Sequence, residues 1–228
     1  KIVFVSPLNQ EYFIRTFFGG REQMIEGKCK VCRLGCFPRT NNSRKEPGVF
    51  RIVSCSFLNP IKRVDLIAKA LIKANLPNLE WVHFGDGVDL AKIKTLIQKS
   101  NVKAVFYGYV SNEEIIEYYA NNYVDVFITT SKMEGSPVSI QEALSFGIPV
   151  IGTDVGGISE QIKENGILLN SDPDEEEIVD ALKHIYYASD ATIKSMRTQS
   201  LSIWMSNYNL DRNLPKLRKL IESVAFCH

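Results

Sequence analysis

From Val49 onward, short runs of β-branched and aromatic residues alternate with longer stretches in which apolar side chains recur every three or four positions. That alternation predicts repeated strand–helix–strand units and a mostly parallel α/β sheet flanked by helices. Strands are expected at 49–54, 80–84, 102–106, 124–129 and 149–152, with a further short segment at 166–169. Val64, Ile67, Ala68, Leu71 and Ile72 mark a first helix, entered at Asn59-Pro60, and Leu90, Ile93, Leu96 and Ile97 mark a second. Ser111 and Glu114 have the spacing of a capping box, residues 138–146 form the next helix, and Asp172-Pro173-Asp174-Glu175-Glu176 places acids at the positive end of another. A short helix is expected after Gly156-Gly157, and the remaining residues read as helical to near the end.

The first 48 residues break this rhythm. They hold two strand-like runs, 1–5 and 30–34, then a polar stretch from Phe37 to Gly48 that reads as a linker and a domain boundary. The opening strand follows no turn or cap, which suggests a start inside a longer protein. Lys28, Lys30, Arg33, Arg39, Arg44, Lys45 and Arg51 face a single acid, Glu46, in this region. A solvated linker is the plain reading; contact with an anionic acceptor or a membrane face is the alternative.

Composition narrows the class. With 228 residues, 45% of them hydrophobic and 23% charged, the chain has the make-up of an ordinary globular protein. A formal charge of +1 supplies no broad cationic field, which disfavours a general nucleic-acid binder. No apolar run approaches the ~18–20 residues needed to cross a bilayer, so a cytoplasmic location is expected. The five cysteines include a C-x2-C-x3-C run, Cys29, Cys32 and Cys36, with Cys55 and Cys227 far away. No fourth ligand lies near that run, so these are read as reduced cysteines rather than a metal site. His83 falls inside a strand and is read as a packed core residue; His184 and His228 carry no motif.

In an open parallel sheet, the loops leaving the carboxyl ends of the strands gather on one edge, where helix N-termini aim N–H groups at ligands. That edge collects residues 56–63, Gly85-Asp86-Gly87, Tyr107-Gly108-Tyr109, residues 129–137 and residues 153–157. The densest segment is Glu134-Gly135-Ser136-Pro137-Val138-Ser139-Ile140-Gln141-Glu142. With Pro137 near the first helical position, the N–H groups of Val138 and Ser139 are free to hold a phosphate. Glu134 then stays in the loop and Glu142 lies more than a turn into the helix. Ionised carboxylates accept hydrogen bonds from neighbouring hydroxyls, so a diphosphate with a polyol on each side suits the arrangement, which is the shape of a sugar nucleotide.

The Glu134 to Glu142 spacing, continued through Ala143-Leu144-Ser145-Phe146-Gly147-Ile148-Pro149-Val150 to Gly157, resembles the retaining, nucleotide-sugar-dependent glycosyltransferases of family 4, which have the two-domain GT-B fold. Looser likeness extends over residues 49–205. The resemblance implies that 49–205 is the Rossmann-like donor-binding half, that 1–48 is the tail of the acceptor-binding domain with its linker, and that 206–228 is a helix crossing back toward that domain. It implies that Glu142 holds the ribose, that Glu134 contacts the transferred sugar, and that Gly135, Ser136, Pro137, Val138 and Ser139 form the phosphate seat. Gly85 and Tyr109 are candidate donor contacts. Lys62 matches the family's phosphate-neutralising lysine. Phe57 stands where an arginine usually accompanies it, and Arg63 is the candidate replacement.

The implied reaction transfers a hexose from a UDP- or GDP-sugar to a saccharide or lipid-linked saccharide with retention, without metal or cofactor. Bacterial surface polysaccharide synthesis is the implied setting, in the cytoplasm or in peripheral contact with the inner membrane face. The chain alone is expected to bind donor without transferring it, because placing the acceptor and excluding water take both halves. Alternatives are a GT-B sugar-nucleotide epimerase, a non-catalytic nucleotide-sugar-binding module, and a glycoside hydrolase whose two carboxyls would face each other ~5–10 Å apart.

Overall fold

In the computed structural model, which describes residues 1–25 and 27–225, the chain opens with strand β1 (Ile2–Phe4), helix α1 (Pro7–Phe18) and strand β2 (Cys29–Val31). The two strands form a parallel pair, Ile2 opposite Cys29. Ser6 caps α1 by accepting from the Asn9 N–H, and Pro7 supplies a preset first helical residue. Cys227 and His228 lie outside the described residues.

The alternating runs then build a six-stranded parallel sheet from β3 (Phe50–Cys55), β4 (Leu79–Phe84), β5 (Lys103–Gly108), β6 (Val126–Thr129), β7 (Val150–Thr153) and β8 (Gly166–Leu169). Its spatial order is β5-β4-β3-β6-β7-β8. The winding therefore reverses between β3 and β6, and the crevice that such a reversal leaves opens at their carboxyl ends. Successive side chains on each strand bury to opposite faces. Ile52, Trp81, Val126, Ile128 and Ile151 pack under helices α2 (Val64–Ala74), α3 (Leu90–Gln98) and α6 (Glu175–Tyr186). Val53, Val82, Phe84, Phe127 and Val150 pack under α4 (Asn112–Asn121) and α5 (Val138–Ser145). Full burial of each such side chain contributes about 1.5–3 kcal/mol, so the two cores fix the strand ends on which the loops sit.

Expectations change at several points. The first helix does not begin at Asn59-Pro60. The Asn59 carboxamide captures the N–H groups of Ile61 and Lys62 in a turn, and Arg63 adopts a left-handed backbone (φ 51°), so α2 starts at Val64. No helix follows Gly156-Gly157; residues 158–164 form turns, tied by Gln161 N–H to Ile158 O. The stretch from Phe37 to Gly48 has no regular structure but is strapped down: Asn42 N–H donates to Ala120 O, and the Asn41 carboxamide donates to Phe146 O. Within the basic run, three of the seven side chains are ion-paired. Arg33 pairs with Glu160, Lys45 with Asp125, and Arg51 is largely buried between Glu46 and Glu80.

After α6 the chain forms α7 (Asp190–Ile203), one π-helical turn (Trp204–Tyr208) and α8 (Leu210–Ala225). The start of α8 lies on the N-terminal unit. Leu210 N–H donates to Cys36 O, and the Asn213 carboxamide donates to Leu34 O at 2.7 Å. Gly35 (φ 125°) permits this approach, because a Cβ there would stand 1.8 Å from Tyr208 O. None of the described helices is long and apolar enough to cross a membrane.

Candidate active site

The loops leaving β3 and β6 meet over the crevice. Lys62 Nζ donates to Glu134 Oε1 at 2.5 Å, and Ser131 Oγ donates to the same oxygen at 2.7 Å. A salt bridge thus spans the switch point, between side chains 23% and 14% exposed. Pro137 is the N-cap of α5 rather than its first residue, with extended backbone. The helical ladder begins with Gln141 N–H to Pro137 O, which leaves the N–H groups of Val138, Ser139 and Ile140 ahead of it. A bare helix start therefore stands next to the Lys62–Glu134 pair.

Gly156-Gly157 shapes this turn from below. At Gly156 (φ 52°) a Cβ would fall 1.7 Å from Glu134 O, and Gly157 N–H donates to Gly135 O at 2.9 Å. The Ser136 hydroxyl is turned to the protein, accepting from the carboxamides of Gln141 and Gln161. Of the residues expected to form a phosphate seat, Ser136 therefore offers its backbone more readily than its side chain.

Glu142 lies one and a bit turns into α5 and is 5% exposed. Its Oε1 accepts from the Asn112 carboxamide at 2.5 Å. Burial pushes its carboxyl up to about 6, against the pull of the Asn112 hydrogen bond. Arg63 does not face the crevice. Its guanidinium donates to Thr130 O, Ser131 O and Ser171 O and pairs with Asp172, and the residue is 5% exposed. The idea that it replaces the arginine absent at Phe57 fails on this geometry: its donors are already committed beneath the loop.

Gly85 and Tyr109 border a hollow of about 190 Å³ with Phe57, Phe84, Val110 and Ile115, at the ends of β3, β4 and β5. Gly85 (φ 133°) is required there, since a Cβ would sit 1.9 Å from Ser56 O. A larger hollow of about 560 Å³ lies at the opposite edge near Val49, Asn78 and Lys103 and holds none of these groups. His83 is a core residue, as its strand position implied. Trp81 Nε1 donates to Ser54 Oγ, which lies 2.8 Å from His83 Nδ1, and His83 Nε2 lies 3.2 Å from Ser56 O. Burial pushes the imidazole down to about 4, so it is neutral in that chain.

Three residues of the site escaped sequence reasoning. Ser131 and Asn112 hold the two glutamates, and Asn9 of α1 brings its carboxamide within 3.7 Å of where a Cβ on Gly135 would stand. The signal for Asn112 was its place directly after the capping serine; nothing local marked Asn9, which the fold delivers from the other unit. That delivery is held by Glu160, which accepts from Ser6 Oγ at 2.5 Å and from Leu8 N–H at 3.2 Å.

The sheet is of the doubly wound, Rossmann-like α/β class, and the crevice at its switch point is where such folds bind their ligands. The chain belongs to the glycosyl transferases group 1 family, which matches residues 39–196. It is 28% identical over 202 residues to the UDP-N-acetylglucosamine–peptide N-acetylglucosaminyltransferase GtfA subunit of Streptococcus pneumoniae, covering 84% of this chain and 39% of that protein. It is 35% identical over 132 residues to a GDP-mannose-dependent alpha-mannosyltransferase of Mycobacterium tuberculosis, covering 57% and 32%. With the O-antigen biosynthesis glycosyltransferase WbnH of Escherichia coli it shares 30% over 138 residues, covering 60% and 38%. The crystal structure of the pneumococcal GtfA with UDP and GlcNAc matches 98% of this chain and 45% of that one, with a TM-score of 0.78 at 22% identity, a likeness of fold. The chain thus spans about a third to two fifths of the length of these relatives.

Proposed function

We propose that residues 49–205 bind a UDP- or GDP-sugar and that the protein transfers its hexose, with retention, to a hydroxyl of a saccharide or lipid-linked saccharide in surface polysaccharide assembly. The observation that carries this reading is the Lys62–Glu134 bond across the switch point, beside the open N–H groups of Val138 and Ser139. The relatives named for UDP-N-acetylglucosamine, GDP-mannose and O-antigen synthesis support it.

On this reading the diphosphate rests on those amides and draws Lys62 away from Glu134, whose oxygens then accept hydroxyls of the sugar. Glu142 takes the ribose hydroxyls, and the base enters the hollow bordered by Tyr109 and Phe57. As the glycosidic bond breaks, its electron pair passes to the diphosphate oxygen and the anomeric carbon gains oxocarbenium character. The acceptor oxygen bonds to that carbon on the same face, and its proton passes to the departing phosphate. Lys62 and the helix N–H groups stabilise the charge that collects there.

Calorimetry with UDP, GDP, UDP-N-acetylglucosamine and GDP-mannose tests the reading. One nucleotide series should bind, and Glu142→Ala should weaken it about tenfold through loss of two charge-assisted hydrogen bonds. Absence of binding by every nucleotide, with binding of free oligosaccharide instead, would favour a hydrolase.

A further inference from the structure

We propose that Asn112 is a positioning residue for nucleotide binding: its carboxamide clamps Oε1 of Glu142 so that Oε2 is presented, ionised, to the ribose. The inference rests on the reading of Glu142 as the ribose acceptor. Asn112 is the first residue of α4, directly after Ser111. The capping box fixes the backbone at that point, with Glu114 N–H donating to Ser111 Oγ and Ser111 N–H donating to Glu114 Oε2 at 2.8 Å. Ile115, Ile116 and Tyr119 bury the helix against the core that also holds α5. Two rigid helices therefore set the 2.5 Å contact between Asn112 Nδ2 and Glu142 Oε1.

The other oxygen is differently placed. Among the described residues Oε2 of Glu142 receives no hydrogen bond, yet it is not a buried orphan. It is the carboxylate oxygen that keeps accessible surface and a free acceptor capacity for a ligand. The titratable groups facing Glu142 are Cys36 on the strap, Cys55 at the end of β3 and Tyr119 on α4. Burial pushes all three up, so each is neutral at about pH 7 and none offers a positive charge. Asn112 is then the neighbour that favours the charged carboxylate against burial. A protonated Glu142 would keep one strong acceptor fewer for a pair of ribose hydroxyls.

The sign follows. Nucleotide affinity should fall as the pH drops through about 6, the value to which burial has raised Glu142. Without the amide donor the carboxyl rises further, so the fall should move to higher pH. Titration calorimetry from about pH 5 to 8.5 with UDP-N-acetylglucosamine and GDP-mannose reads this directly, since the diphosphate of a nucleotide sugar is a diester that stays fully ionised over that range. Asn112→Leu keeps the volume and removes the donor; it should weaken binding about tenfold near pH 7 and shift the midpoint of the pH profile upward. Asn112→Asp, the isosteric variant, sets a second carboxyl beside Glu142 and should shift it in the same direction and further. Either variant alone is sufficient if the other fails to fold, as judged by its melting curve. Glu142→Gln should weaken binding and flatten the profile.

An unmoved midpoint in both Asn112 variants, with Glu142→Gln weakened and flat, overturns the positioning role and leaves the donor reading standing. Unchanged binding and an unchanged profile in Glu142→Gln remove the ribose reading and this inference with it. A merely structural Asn112 would lower the melting temperature without moving the midpoint.

Discussion

The loops leaving β6 and β3 face each other across one crevice, and they are held in opposite ways. The β6 loop is shaped by what its neighbours lack: Gly156 and Gly157 let backbone press against Glu134 and Gly135 where side chains would collide. The β3 loop is shaped by an added side chain, Arg63, which reaches beneath both loops to three carbonyls and Asp172. Thr130 Oγ1 returns the tie by donating to Arg63 O at 2.9 Å. Two adjacent cations at one switch point thus divide the work. Lys62 reaches up to Glu134, while Arg63 holds the floor on which that meeting takes place.

The strongest way to break this comparison is Arg63→Met. The change removes a guanidinium and strands the carbonyls of Thr130, Ser131 and Ser171, so the chain should lose about 3 kcal/mol or more of stability. Urea unfolding measures it, and nucleotide affinity should fall only as far as the folded fraction does. A loss under about 0.5 kcal/mol, with affinity abolished, would make Arg63 a ligand contact after all. The left-handed backbone at Arg63 adds a smaller test of the same kind, since it costs about 1–2 kcal/mol for any residue with a Cβ.

Lys62→Met should give the mirror image. Its pair with Glu134 is partly exposed, and such pairs contribute about 0–1 kcal/mol, so the urea midpoint should barely move. Affinity for UDP or GDP should fall about tenfold, whereas affinity for the matching nucleoside, which carries no phosphate, should stay as it was. Equal losses for nucleotide and nucleoside would place Lys62 away from the diphosphate.

Much of this arrangement was legible in the residues. The parallel sheet followed from periodicity, the α4 cap from Ser111 and Glu114, and the open start of α5 from Pro137. The cap and the helix start are local signals, each carried within a dozen residues. The misreadings share a different origin. Asn59-Pro60 looked like a helix start, but the Asn59 side chain bonds two residues ahead and delays the helix, a competition that composition alone does not decide. Arg63 looked available because its partners are carbonyls from residues 130–131 and 171, which no local pattern connects to it. Asn112 enters the site only after six strands have been put in order, and Asn9 only through the tie of Ser6 and Leu8 to Glu160.

The smallest expected effect sharpens the comparison most, because it asks whether the β3 loop can be given a second upward-facing cation. Phe57 is 63% exposed at the mouth of the hollow under Tyr109, five positions before Lys62. Phe57→Arg removes little packing, so stability should change by less than about 0.5 kcal/mol. If the diphosphate lies between Lys62 and the start of α5, a guanidinium at 57 should strengthen binding of UDP or GDP about threefold, a gain that fades as salt is raised. The nucleoside should lose affinity in the same variant, because the apolar wall that Phe57 offers a base is gone. Opposite signs for nucleotide and nucleoside would show that residue 57 stands between the base and the phosphates. A loss for both would place it wholly against the base, and the diphosphate seat would then rest on Lys62 and the helix start alone.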